Sequence, residues 1–331
     1  MVGAGHIANT WSDAFAASGH AELVAVADPC LPAARRIASR HGAAAHSDHR
    51  RTLDQVEADA LLVCTPPASH AEIVFEALDR GLGVLCEKPL CTDLASAEIL
   101  VERARLRGRP LMLASKFRYV EDVARARELL LSGHFGRLRR VENAFTTWVD
   151  MTGRWYADPA VSGGGVLIDN GTHSADLFRY LLGPLTEVLA VADPNLQPLE
   201  VEDTVRLFAR NADGVTAHAD LSWSLDPRRP TFLELYGSDG CLEIGWRSSR
   251  IRDSDGPWRP FGAGYDKGAA FVRMLEDFCG ALDGKTPSST PDDALASVAV
   301  IQTAYEALEQ GSWQRVSAPT VAPRRQWAIA R

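Results

Sequence analysis

A chain of 331 residues, 46% apolar and 24% charged, has the length for two domains and the apolar content to fill a core in each. Its net charge of −8 argues against a nucleic-acid surface, and no apolar run approaches the roughly 18 residues that a membrane span needs. No basic-then-apolar leader opens the chain. The six cysteines (Cys30, Cys64, Cys86, Cys91, Cys241 and Cys279) form no CxxC pair, so they read as reduced thiols of a cytoplasmic protein with no metal-ligand set.

The chain begins Met1-Val2-Gly3-Ala4-Gly5-His6-Ile7-Ala8, of the form G-x-G-x-x-A. The first glycine permits a tight turn and the second lets backbone approach a pyrophosphate. The small third residue lets a helix pack on a strand. A helix over 7–18 offers its N-terminal dipole to phosphate. A buried strand over 23–27 then ends at Asp28, 20 residues beyond Ala8 and at the spacing of a carboxylate that holds a ribose 2′-hydroxyl. A carboxylate there favours NAD, with NADP left open because Arg35 and Arg36 follow. Only Met1 and Val2 precede Gly3, so either the first strand is a stub or the natural start lies upstream; the second is the expectation.

Helices and strands then alternate to residue 115, which implies βαβ units and a doubly wound parallel sheet. The strand over 60–64 runs into Thr65-Pro66-Pro67 at the rim where open α/β sheets take ligands, and the helix after it opens near His70. His70 is read as either a cofactor contact or an exposed helix start. Val84-Leu85-Cys86 is an apolar strand end followed at once by Glu87-Lys88-Pro89, where proline forces the chain to turn. Either the strand stops in a solvated charge pair, or the lysine held at that rim is partly desolvated, fit to donate a proton or to anchor a hydroxyl.

After Lys116-Phe117-Arg118-Tyr119 the pattern changes. A helix over 120–132 and a strand over 138–148 lead into a polar, aromatic loop with Asp150, Arg154, Trp155 and Tyr156. Gly163-Gly164-Gly165, expected to let backbone approach a ligand, precede a helix carrying Asp169 and His173. Four residues apart, these two share a helix face, where the carboxylate either orients a general acid/base or simply caps a histidine. Strands dominate from 186 to 246, with turns at Asp213-Gly214 and Ser238-Asp239-Gly240, so this half is α+β with an open, mostly antiparallel sheet. Two helices close the chain near 269–282 and 292–310. The boundaries expected are 1–118 for the first domain, 119–316 for the second, and 317–331 for a loosely held tail. Trp148, Trp155 and Trp223 fit either sugar stacking or core packing, and Arg118 and Arg154 fit either a phosphate or nearby acids.

Taken in order, Gly3-Ala4-Gly5-His6-Ile7-Ala8, Asp28, Thr65-Pro66-Pro67, Glu87-Lys88-Pro89, Lys116-Phe117-Arg118-Tyr119, the three glycines and Asp169-x-x-x-His173 resemble the glucose–fructose oxidoreductase / inositol dehydrogenase (Gfo/Idh/MocA) family over nearly the whole chain. The resemblance implies a Rossmann domain joined to an α/β domain whose open sheet builds homodimers or homotetramers. The activity it implies is NAD(P)-dependent oxidation of a sugar or cyclitol hydroxyl, or reduction of the matching ketone. Carried onto this sequence, it makes Lys88 a substrate anchor and part of the proton relay. His173 becomes the catalytic acid/base, Asp169 its orienting partner, and Glu87 a group that positions cofactor or lysine. Gly3, Gly5, His6, Ile7, Ala8, Asp28, Thr65, Pro66, Pro67, His70, Glu87 and Lys88 then face the cofactor. Lys88, Lys116, Arg118, Arg154, Trp155, Asp169 and His173 face the substrate. The same scaffold is also similar to NAD-dependent glycosidases that act by transient oxidation, and to non-catalytic NAD-sensing regulators.

Overall fold

The computed structural model describes residues 1–317, which form two compact units. The first begins with α1 (His6–Ser18), β1 (Ala25–Ala27), α2 (Leu31–Ala38), β2 (Ala44–His46), α3 (His49–Gln55), β3 (Ala60–Val63), α4 (His70–Asp79), β4 (Gly83–Cys86), α5 (Leu94–Arg107) and β5 (Leu111–Leu113). β1 pairs with β2, and β3 with β4 and β4 with β5, all parallel. Val2 joins the two sets, bridging Ala27 on one side and Val63 on the other. Its N–H donates to Leu62 O at 2.8 Å, and its carbonyl accepts from Cys64 N at 2.7 Å. The order across the sheet is therefore β2, β1, Val2, β3, β4, β5, a nucleotide-binding order whose switch point lies beside Val2. Val84, Leu85, Cys86, Leu111 and Met112 are fully buried, as a parallel sheet covered on both faces requires.

The second unit holds α6 (Glu121–Leu131), β6 (Leu138–Thr146), α7 (Pro159–Ser162), α8 (Val166–Leu182), β7 (Leu185–Ala192), β8 (Thr204–Asn211), β9 (Thr216–Ser222), β10 (Thr231–Gly237), β11 (Gly240–Gly245), β12 (Ser249–Asp253) and β13 (Arg259–Gly262). With a last short strand, Gln314–Arg315, these build a nine-stranded sheet. Its pairs are antiparallel except β6 with β9, which the expectation of antiparallel succession had not included. α8 lies across β6, β7, β8 and β9. Along β8, Val205, Leu207 and Ala209 are buried, while Arg206, Phe208 and Arg210 face away, a two-residue alternation with one covered face. β12, β13 and the last strand were not anticipated. Their segments are short and carry arginine, aspartate, glycine and proline rather than an apolar run, and two of them, β13 and Gln314–Arg315, are the edges of the sheet.

The chain returns to the first unit with α9 (Lys267–Leu282) and crosses back within α10 (Pro291–Gln310). Sequence order alone had assigned 267–295 to the second domain. The apolar stripe Ala270, Phe271, Met274, Leu275 and Phe278 instead packs on α1 and on the 3₁₀ turn Lys116–Tyr119. Trp11 of α1 meets Phe271 edge-on at 4.7 Å between ring centroids. α9 thus buries its apolar stripe in a second layer, over α1 and the 3₁₀ turn. Apart from Ser317, the expected tail lies outside the described residues. Among the described residues no helix is long and apolar enough to cross a membrane.

Candidate active site

The glycine loop forms a cradle. Gly3 sits at φ +91°, and a Cβ there would come within 2.6 Å of the Cys64 carbonyl carbon and oxygen. A Cβ at Gly5 would meet nothing within 4 Å, so the loop is open on the side where α1 begins. No side chain caps the N-terminus of α1, and the first-turn N–H groups are left to a ligand. Asp28 folds toward this loop. Its Oδ2 accepts from Ala4 N at 2.7 Å and its Oδ1 from Cys30 N at 2.8 Å, while an Arg36 guanidinium N–H donates to Ala4 O at 3.3 Å. Open glycine, uncapped helix and nearby carboxylate fit a dinucleotide. His6 and Ile7 lie in the first turn, and Ala8 is fully buried.

Thr65, Pro66 and Pro67 leave β3 in a short 3₁₀ turn, tied by Ser69 Oγ donating to Thr65 Oγ1 at 2.8 Å. Beside it, β4 delivers Glu87, Lys88 and Pro89, with a cis Lys88–Pro89 bond. Glu87 N–H still donates to Val63 O at 2.9 Å, which fixes where the sheet ends. The Glu87 side chain is 8% exposed and turns inward, its Oε1 accepting from Trp11 Nε1 at 2.7 Å. Burial pushes its carboxyl above the ordinary range, against the indole bond and the charges of Lys88 and Lys116. Glu87 thus holds the backbone under Lys88. His70 is not the exposed helix start that was one expectation: it is fully buried, its Nδ1 2.7 Å from Pro89 O and its Nε2 2.8 Å from Thr65 O.

In the second unit α8 presents Asp169 and His173 one turn apart. Asp169 Oδ2 accepts from Trp223 Nε1 at 3.3 Å, just beyond the end of β9. His173 is 7% exposed, with Phe145 of β6 edge-on at 6.2 Å. Phe145 in turn meets Phe232 and Trp246, and a register shift near Thr231 lets Phe232 join them. On the other flank Tyr156 touches Trp223 and stacks on Trp155 at 3.7 Å. Trp148 is 63% exposed and Trp155 and Trp246 are each 38% exposed, while Trp223 is 2% exposed and fills core, one of the two roles open to it.

Two of the three glycines are taken up by packing, and Gly163 closes α7 in the left-handed region. A Cβ at Gly164 would lie 2.0 Å from Tyr305 Oη, and one at Gly165 2.0 Å from Glu202 O. Their smallness lets the start of α8 press against Glu202, whose Oε1 accepts from Gly165 N, Leu167 N and Tyr305 Oη at 3.0, 3.0 and 2.8 Å. Glu202 and Tyr305, unmarked in the sequence, therefore fix the helix that carries Asp169 and His173. Trp11 is a second such omission; nothing local links it to Glu87, 76 residues away.

The remaining candidates separate. Arg118 is 4% exposed and ties Ser288 O at 2.6 Å and Asp293 Oδ2 at 3.0 Å, an interior tie within the first unit. Lys116 lies over the Phe117 ring at 5.0 Å and adds positive charge near Glu87. Arg154 is exposed beside Asp150, in the loop with Trp155.

The model of an oxidoreductase family with an NAD-binding Rossmann fold matches residues 1–115, and that of the GFO/IDH/MocA C-terminal domain matches residues 123–243. The chain is 27% identical over 319 residues to the rhizopine catabolism protein MocA of Rhizobium meliloti, covering 94% of each. It is 27% identical over 337 residues to inositol 2-dehydrogenase of Rhizobium meliloti (strain 1021), covering 94% of this chain and 96% of that one. A structure of levoglucosan dehydrogenase in complex with NADH shares the fold at a TM-score of 0.90 and 21% identity, over 96% of this chain and 98% of that one. With the glycine cradle and both domain signatures in one polypeptide, the chain belongs to the GFO/IDH/MocA family and is an oxidoreductase with an NAD-binding Rossmann domain.

Proposed function

We propose that this protein oxidises a secondary hydroxyl of a sugar, sugar derivative or cyclitol, or reduces the matching ketone, with NAD preferred over NADP. The observation that carries the reading is the Asp169–His173 face of α8, braced by Trp223 and flanked by half-exposed indoles. A relative that acts on inositol supports a polyhydroxylated ring as substrate. The preference for NAD rests on Asp28, whose negative charge repels a 2′-phosphate.

When bound, NAD supplies hydride acceptance. His173 removes the proton from the substrate hydroxyl, with Asp169 setting the ring orientation and favouring the imidazolium that forms. Lys88 anchors a substrate hydroxyl and stabilises the alkoxide charge that develops on it. Trp155 offers an apolar face to the C–H side of a ring. The face of the large sheet turned away from α8, with Arg206, Phe208 and Arg210 along β8, serves in the same proposal as the surface between copies in a dimer or tetramer.

The test is NADH absorbance with purified protein, NAD and a panel of inositols, free sugars, amino sugars, sugar phosphates and nucleotide sugars. A rise with one class supports the reading and names the substrate. A flat trace with every compound, while calorimetry shows NAD bound, overturns it in favour of a glycosidase or a sensor.

A further inference from the structure

We propose that His70 is a positioning residue for Lys88, acting through the Pro89 carbonyl, and not a cofactor contact. Its ring is fully buried, and both nitrogens face main-chain oxygens: Nδ1 at 2.7 Å from Pro89 O and Nε2 at 2.8 Å from Thr65 O. No ring surface is left for a ligand. The two carbonyls belong to the turns leaving β3 and β4, whose ends pair at Val63 and Cys86. One imidazole therefore spans the mouths of two neighbouring strands.

Lys88 sits between two fixed points. On one side Glu87 is held by the Trp11 indole; on the other Pro89 is held by His70. A lysine reaches its target on a flexible four-carbon stem, so the backbone from which it starts decides where its ammonium works. Carbonyl oxygens only accept, and a neutral imidazole has one N–H, so the neutral ring donates to one of these two carbonyls while it packs against the other, and only an imidazolium donates to both. Burial and the positive charge of Lys88 both favour the neutral ring. An asparagine at this place is too short to touch both turns, and a leucine offers neither a donor nor an acceptor.

The inference rests on the proposed role of Lys88, and a double-mutant cycle separates the two. Wild type, His70→Asn, Lys88→Ala and the double variant are compared for kcat and KM at saturating NAD, with NAD affinity measured by calorimetry and folding by thermal melting. His70→Asn should lower kcat about 10- to 100-fold, the scale of a small misplacement of a reacting group, with NAD affinity changed less than about threefold. On the Lys88→Ala background the same change should cost less than about twofold, because its target is gone. If the losses multiply, His70 does not act through Lys88. If NAD affinity falls while kcat holds, His70 is a cofactor residue. If Lys88→Ala keeps wild-type turnover, the reading of Lys88 fails first and takes this one with it. Should His70→Asn fold poorly, His70→Ala with added imidazole replaces it: recovery of kcat supports the strut, and none overturns it.

Discussion

Trp223 donates its indole N–H to Asp169 Oδ2 at 3.3 Å, from a side chain that is 2% exposed. The pair joins the end of a sheet strand to the helix face that carries His173. Trp223→Phe keeps most of the packing and removes the donor. A hydrogen bond of this kind contributes about 0.5–1.5 kcal/mol net, so kcat should fall about 2- to 10-fold. The thermal midpoint should move little. Steady-state kinetics beside a melting curve checks both, and unchanged kcat would show that Trp223 only packs.

His173→Ala removes the proposed acid/base and should lower kcat about 10²–10⁴-fold. NAD affinity should be unaffected, because the cradle for NAD is built in the other unit. Rapid kinetics with the substrate found by the panel, together with NAD calorimetry, reads both halves; wild-type turnover in this variant rules out the role.

Glu87 gives a pH signature. Burial raises its carboxyl above the ordinary range, so the folded state favours the protonated form. The stability this contributes is complete below the unfolded-state value and is lost as pH rises through the raised folded one. Glu87→Gln retains an oxygen for Trp11 Nε1 but carries no charge. The variant should therefore gain on wild type as pH climbs from the ordinary carboxylate range toward neutrality, then hold a constant difference. Chemical denaturation at a series of pH values measures this, and a difference flat across the whole range would show that the native state does not perturb Glu87.

Two glycines make an internal control. Gly5→Ala places a Cβ in open space, so folding should be unchanged while NAD affinity falls by about tenfold or more, because the pyrophosphate must lie where that carbon projects. Gly165→Ala drives a Cβ to 2.0 Å from Glu202 O and should destabilise the protein by several kcal/mol, with soluble yield falling accordingly. Melting curves and NAD titrations of the pair distinguish a ligand cradle from a packing requirement.

The sequence carried the glycine loop, Asp28, the rim turns and the Asp169–His173 face because each is local: a few adjacent residues, or a fixed spacing along one element, imply the geometry. It was silent on Trp11 with Glu87, on Trp223 with Asp169 and on Glu202 with Gly165, because those contacts join residues 76, 54 and 37 positions apart. Gly164 and Gly165 misled for a related reason. Absence of a side chain declares that something comes close, but not whether that neighbour is a ligand or, as here, Glu202 and Tyr305. Of the two readings open for Arg118, a phosphate or a nearby acid, the structure has the acid, and the sequence could not choose because Ser288 and Asp293 lie in a segment that sequence order had assigned to the other domain.

The excursion of the chain between Tyr119 and Lys267 has a consequence for synthesis. Proteins made of consecutive domains can fold the first while the ribosome still translates the second. Here Trp11, beneath the nucleotide cradle, stays without Phe271 until that residue has left the exit tunnel. The second unit is likewise incomplete until Tyr305 arrives to brace Glu202. Both units are thus closed by the same late stretch of polypeptide, and a nascent chain halted before α9 holds the nucleotide loop, Lys88 and His173 without either finished core. Neither core can be finished before α9 and α10 have been made, and the two units mature almost together.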